Sequence, residues 1–120
     1  VGRPRPADVR LTGTAERAQA AGIAAAAPGS RVGGIGHAAG EVCRAAGYGI
    51  PQGFGGHGVG CRMHEDPEVP NGGRAGRGLP PRTRDCSRAA HAEHTVAITE
   101  TGPRFAPRGA RGCRQGRRYG

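Results

Sequence analysis

The stretch Gly55-Gly56-His57-Gly58-Val59-Gly60-Cys61-Arg62-Met63-His64-Glu65-Asp66-Pro67 is the densest in chemistry of any part of the chain. Two histidines stand seven positions apart. The first lies among glycines, and the second is followed by two acids and a proline. Imidazole is the commonest neutral metal ligand and the usual acid–base group near neutral pH. Glycines beside a histidine let a second backbone, a metal or a substrate approach closely. Phe54–Val59 therefore reads as an extended segment, a strand with close backbone neighbours. Val69-Pro70-Asn71-Gly72-Gly73 reads as a turn.

Toward the N-terminus the pattern becomes helical. Residues 1–7 hold two prolines and read as an extended lead-in, and Asp8 is placed to cap the first helix. Leu11, Ala15, Ala18, Gly22 and Ala25 fall on one helical face. Pro28-Gly29 stops that helix, and Ser30 is placed to cap the next. Val32, Ile35, Ala39, Val42 and Ala46 form a second apolar stripe, ended by Gly47. Small residues on both stripes suit close packing, although glycines within the helices weaken them.

Toward the C-terminus, residues 74–88 are polar, arginine-rich and without period. The alternation Thr95-Val96-Ala97-Ile98-Thr99 predicts a strand. Thr101-Gly102-Pro103 ends it, and residues 104–120 read as a disordered Arg/Gly-rich tail. The expected domain is 1–103, followed by the tail 104–120.

The chain has 120 residues, with 24 Gly, 10 Pro, no Trp, two Tyr and two Phe. Aromatic residues supply much of the buried area of a core. Any core here must be aliphatic and thin, so stability is expected to be marginal. The net charge is +9, and every basic residue is an arginine. Residues 1–70 carry a net of +1 and residues 71–120 a net of +8, so the charge belongs to the tail rather than the body. Ala, Gly, Arg and Pro have GC-rich codons, so genome composition accounts for much of that excess. Four cysteines, Cys43, Cys61, Cys86 and Cys113, form no C-x-x-C pair. They read as reduced thiols of a cytosolic protein. No apolar run approaches the length of a membrane span, and no targeting segment is visible.

His57, His64, Glu93 and His94 are the candidate site. A His on one strand and a Glu on another supply two ligands for a hard divalent cation, and a second His can hold a substrate oxygen. The bland alternative is two surface histidines and a solvated glutamate. A structural zinc knuckle from Cys61, His64, Cys86 and His91 is a second metal reading, at unusual spacing. Cys43 lies on the apolar side of the second helix and reads as packing rather than nucleophile. A non-enzymatic reading makes the chain a basic RNA- or ribosome-binding protein acting through its tail, although only Phe105 and Tyr119 are there to stack on bases.

Gly56-His57-Gly58-Val59-Gly60, then Met63-His64-Glu65-Asp66-Pro67, then Val69-Pro70-Asn71, resemble the pita-bread metallopeptidases. Ala92-Glu93-His94-Thr95-Val96 narrows the resemblance to the type I methionine aminopeptidases, and both helical segments look like actinobacterial members. The resemblance covers roughly residues 1–103, and paired motifs in the right order are more specific than either alone. It implies an α+β, partial pita-bread fold of two helices and antiparallel strands. It also implies removal of the initiator methionine from nascent polypeptides in the cytoplasm by a monomeric enzyme. One or two divalent metals (cobalt, manganese, iron or zinc) serve the reaction, with no membrane and no sequence-specific nucleic acid as partner, and with the ribosome as a possible neighbour.

By motif, the resemblance makes His57 a metal ligand and Glu93 the last, metal-bridging ligand. It makes His64 the catalytic and substrate-binding histidine that hydrogen-bonds substrate and tetrahedral intermediate. The family uses two Asp, one His and two Glu. Val1-Gly2-Arg3-Pro4 resembles the segment just after the second aspartate. Leu79-Pro80 and Ser87 flank what reads as an internal deletion, near 80–87, of a stretch with a further glutamate ligand. On this reading the chain holds two of five ligands and is an inactive fragment, with sheet edges left unpaired.

Overall fold

The computed structural model describes residues 2–51, 53–72 and 87–106. Two helices come first, α1 (Pro6–Ala25) and α2 (Val32–Ala45), then two antiparallel strand pairs. Strand β1 (Gly55–Gly58) pairs with β2 (Glu65–Pro70), and β3 (Val96–Thr99) with β4 (Gly102–Phe105). The helices pack on one another, and α2 also touches β2.

α1 begins at Pro6, two residues before the position at which Asp8 was expected to cap it. Proline suits the first helical position because its φ is preset and its missing N–H would find no helical partner there. Asp8 lies in the first turn, where its charge complements the helix dipole. It accepts from the guanidinium of Arg5 at 3.3 Å and from that of Arg88, eighty positions on, at 2.6 Å. After α1, Ser30 N–H donates to the Ala27 carbonyl at 3.0 Å across Pro28-Gly29, and Gly29 has φ 81°. These are the positions and the φ sign of a type II turn. Ser30 is used in that turn. Arg31 is the residue that precedes α2, and no side chain caps it.

The C-terminus of α2 follows from one glycine. Gly47 has φ 77°, its N–H donates to Arg44 O at 2.9 Å, and Tyr48 N–H donates to Cys43 O at 2.9 Å. This is the Schellman pattern, which satisfies two carbonyls of the last turn.

The buried face of α1 runs through Thr14, Ala18 and Gly22, and that of α2 through Gly36 and Gly40. At Gly22 a Cβ would meet Ile35 Cγ2 at 3.5 Å and Ala39 Cβ at 3.6 Å, so the helices approach closely there. Thr14, only 3% exposed, donates its hydroxyl to Arg10 O at 2.8 Å and accepts from Arg17 at 2.9 Å, leaving nothing polar unsatisfied. Among the described residues, Ala18 and Ala26 are the buried apolar ones, whereas Val9, Val59, Met63, Ile98 and Phe105 are exposed, so the described core is thin.

β1 and β2 pair as Gly55↔Pro70, Gly56↔Val69 and His57↔Glu68, and then Gly58 meets Glu65. Asp66 and Pro67 are thereby passed over, a bulge that spares the ladder a residue with no N–H. Val69 and Pro70, expected in a turn, are the last residues of β2, and the turn begins at Asn71. The backbones lie so close that a Cβ on Gly55 would collide with the Val69 carbonyl oxygen. One on Gly58 would collide with the carbonyls of Asp66 and Glu65. A Cβ on Gly56 would make only an ordinary contact, 3.5 Å from Val69 Cβ.

β3 forms where the sequence predicts a strand, but its burial does not alternate, since Val96 is half-buried and Ile98 exposed, and Gly102 and Pro103 start a strand rather than end one. Thr99 pairs with Gly102 across Glu100-Thr101, with Gly102 at φ 109° and the Thr99 hydroxyl donating to Gly102 O at 2.7 Å. Arg104 and Phe105, assigned by the sequence to the tail, pair with Ala97 and Val96. The remainder of that tail, 107–120, lies outside the described residues, as does the segment 73–86.

Two outcomes are expected. Gly55→Ala and Gly58→Ala should each destabilise the β1–β2 hairpin by about 1–3 kcal/mol, the scale of overpacking. Gly56→Ala should not, and amide exchange across 55–58 and 65–69 distinguishes them. Gly22→Ala fits the helix crossing and should raise stability by up to about 1 kcal/mol, through better helix propensity, in a urea melt. Gly22→Leu should lower it.

Candidate functional site

His57 lies in the middle of β1, the one residue of that strand with a side chain larger than hydrogen. His64 immediately precedes β2, at the end of the loop 59–64. The bulge brings them together, with ring centroids 4.2 Å apart and planes tilted by 44°. His57 is half-buried and His64 is exposed.

His57 Nδ1 lies 2.9 Å from the Gly58 carbonyl oxygen. A carbonyl only accepts, so this bond takes the tautomer with hydrogen on Nδ1. Nε2 is then left with a free lone pair, as metal-binding histidines require. Below His64 an open hollow is lined by Arg62, His64, Glu65, Asp66 and Glu68. Glu65 Oε1 accepts from the Arg62 N–H at 2.7 Å. Glu68 sits across the ladder from His57. The sequence pattern gave Glu65 and Glu68 no role. The three-residue step from Arg62 to Glu65 is a local-bond spacing, whereas the Glu68 register needs a bulge that no spacing reveals.

Glu93 precedes β3, is 70% exposed on its side chain, and pairs with His91 Nε2 at 3.0 Å. His91 in turn meets the edge of Phe54, just ahead of β1, with ring centroids 6.1 Å apart. His94 is occupied differently, its ring set edge-on to Phe105 of β4 at 5.1 Å. The structure thus brings His57 and His64 into contact, while Glu93 and His94 are engaged elsewhere. Among the described residues no three His, Cys, Asp or Glu side chains gather to hold a metal ion. These residues fit one prepared imidazole donor and not a complete divalent site.

One cysteine departs from expectation: Cys61 is disulfide-bonded rather than reduced, while Cys86 and Cys113 lie outside the described residues. A disulfide sulfur is not a thiolate, so the zinc knuckle loses one of its four ligands. Cys43 is a free thiol whose pKa is raised by burial, with Arg44 opposing, which agrees with a packing role.

Residues 1–115 match the model of metallopeptidase family M24. Methionine aminopeptidase 1 of Mycobacterium tuberculosis is 37% identical over 139 aligned positions, covering 88% of this chain and 52% of the relative. Methionine aminopeptidase of Clostridium acetobutylicum is 38% identical, covering 68% of this chain and 44% of the relative. The crystal structure of methionine aminopeptidase from Rickettsia prowazekii superposes with a TM-score of 0.77 at 27% identity, over 88% of this chain and 54% of that one. The chain thus spans about half the length of the curated relatives it matches. Two helices and antiparallel strand pairs are what it shares with that fold, the pita-bread fold expected from the motifs. The chain belongs to metallopeptidase family M24.

Proposed function

We propose that this chain carries part of the machinery for removing the N-terminal methionine from newly made polypeptides. The observation that supports this most is the contact between His57 and His64, in a chain whose relatives are methionine aminopeptidases. In this reading His57 is a metal ligand through Nε2, held by its Nδ1–H bond to Gly58 O. His64, exposed beside it, donates a hydrogen bond to the scissile carbonyl oxygen as charge develops there. Glu93 would be the second ligand, in place of its contact with His91. Divalent ions (cobalt, manganese, iron or zinc, two to a completed site) would supply an activated water and polarise the carbonyl.

The substrate is the N-terminus of a nascent chain, which puts the reaction in the cytoplasm, beside the ribosome, in a monomeric protein. Among the described residues no helix is long and apolar enough to cross a membrane. We assign residues 1–103 to the peptidase-like unit, with residues missing near 80–87. The match to the mycobacterial relative supports such a gap, since its 139 aligned positions outnumber the 120 residues of this chain. No observation favours the rival reading as a basic RNA-binding protein.

His57 and Glu93 do not make a five-ligand site, so the 120-residue chain alone should be inactive. Methionine release from a Met-Gly peptide with added cobalt or manganese should equal that of the His64→Ala control, and clear turnover refutes this. Cobalt followed by its visible absorption should bind weakly, at no more than one ion per chain, with binding lost in His57→Ala. Two tightly held ions would contradict the assignment. Expressed with its flanking genomic sequence and with the gap near 80–87 filled by the corresponding stretch of the mycobacterial relative, the chain should release methionine, and His64→Ala should lower kcat about 10²–10³-fold. Absence of release from every such product rejects the function.

A further inference from the structure

We propose that Glu65 is a positioning residue, whose carboxylate fixes the loop that carries His64 against His57. The loop 59–64 has no regular ladder of its own, because β1 ends at Gly58 and β2 starts at Glu65. Beside the disulfide of Cys61, two hydrogen bonds among the described residues close it. Gly60 N–H donates to Arg62 O at 3.2 Å, and Arg62 N–H donates to Glu65 Oε1 at 2.7 Å. The second has an ionised acceptor and is the stronger kind.

The carboxylate also lies directly over Gly60. A Cβ there would sit 2.9 Å from Glu65 Cδ and collide with its Oε2. Glycine at 60 is thus the space into which the Glu65 head group folds back. Glu65 is itself fixed on the other side, since its backbone pairs with Gly58 at the bulge. One residue therefore holds both ends of the loop, by backbone to β1 and by side chain to Arg62. His64, the residue before it, has its ring 4.2 Å from that of His57. Arg62 and Met63 are exposed, so their side chains offer no packing in place of this bond.

The functional meaning of this geometry rests on the role proposed for His64. The geometry itself is measurable without metal or substrate, so the two fail separately. The test is nuclear magnetic resonance of the 120-residue chain and its variants at neutral pH. In Glu65→Ala, ring-to-ring Overhauser contacts between His57 and His64 should vanish, and Arg62 amide exchange should quicken by about tenfold or more, the scale of a hydrogen bond to a charged group. Amides of Gly56 and Val69 should keep their protection.

Glu65→Gln retains an acceptor and should restore most of the ring contacts. Asp66→Ala, which removes a neighbouring carboxylate but not the Arg62 bond, should leave them intact. Gly60→Ala should displace the carboxylate and mimic Glu65→Ala, while adding little in the Glu65→Ala background. Two results overturn the assignment. One is unchanged ring contacts in Glu65→Ala. The other is loss of Gly56 and Val69 protection together with the ring contacts, unrescued by Gln, which makes Glu65 a general support of the hairpin.

Discussion

The carbonyl oxygens of Val69 and Asp66 occupy the space that side chains at positions 55 and 58 would need. Everything at the candidate site depends on that proximity. Because β1 is glycine at those points, β2 can lie against it. Because β2 lies against it, the bulge after His57 can pass over Asp66 and Pro67 and bring Gly58 to Glu65. That jump delivers His64 to His57. A strand with ordinary side chains would hold a regular ladder and separate the rings. The glycines thus act through a steric rule, with no need to touch any ligand.

The rest of the molecule gives this hairpin a modest platform. The helices meet where Gly22 faces Ile35 and Ala39, and their buried residues, Thr14, Ala18 and Gly22 on α1 and Gly36 and Gly40 on α2, are small and bury little area. Larger apolar side chains lie at the surface instead, among them Met63 at 73% and Phe105 at 66% exposure. Among the described residues, two two-stranded sheets add few contacts beyond their own pairing. A chain covering about half the length of its relatives has this look: local structure is well specified, and tertiary burial is sparse.

Local rules were readable in the sequence wherever a single residue decides a conformation. Gly47 ends α2 as a left-handed residue must, Pro28-Gly29 turns the chain, and the Thr-, Val- and Ile-rich run at 95–99 forms a strand. Readings failed where two elements compete for one residue. Ser30 was available as a helix cap but is used in a turn, and Gly102-Pro103 looks like a stop yet opens β4. At the site, His57 and His64 stand out because glycine and acid surround them. Glu93 is identified by motif alone, and its contact with His91 comes from a tertiary arrangement that no spacing encodes. Glu65 was hidden inside the motif that named its neighbour, because its work is done on a backbone N–H two residues before His64.

The separation of these contacts along the chain also orders them in time. His57 and Glu68 are eleven residues apart, and β-hairpins of that reach close in roughly 1–10 μs. The ion pair between Asp8 and Arg88 spans eighty residues and must wait for a far larger loop to be gathered. The two histidines can therefore meet, part and meet again many times while the ends of the chain are still searching for one another. The chemistry-bearing pair is a local, fast-forming unit, and the long-range ion pair is a late closure laid over it.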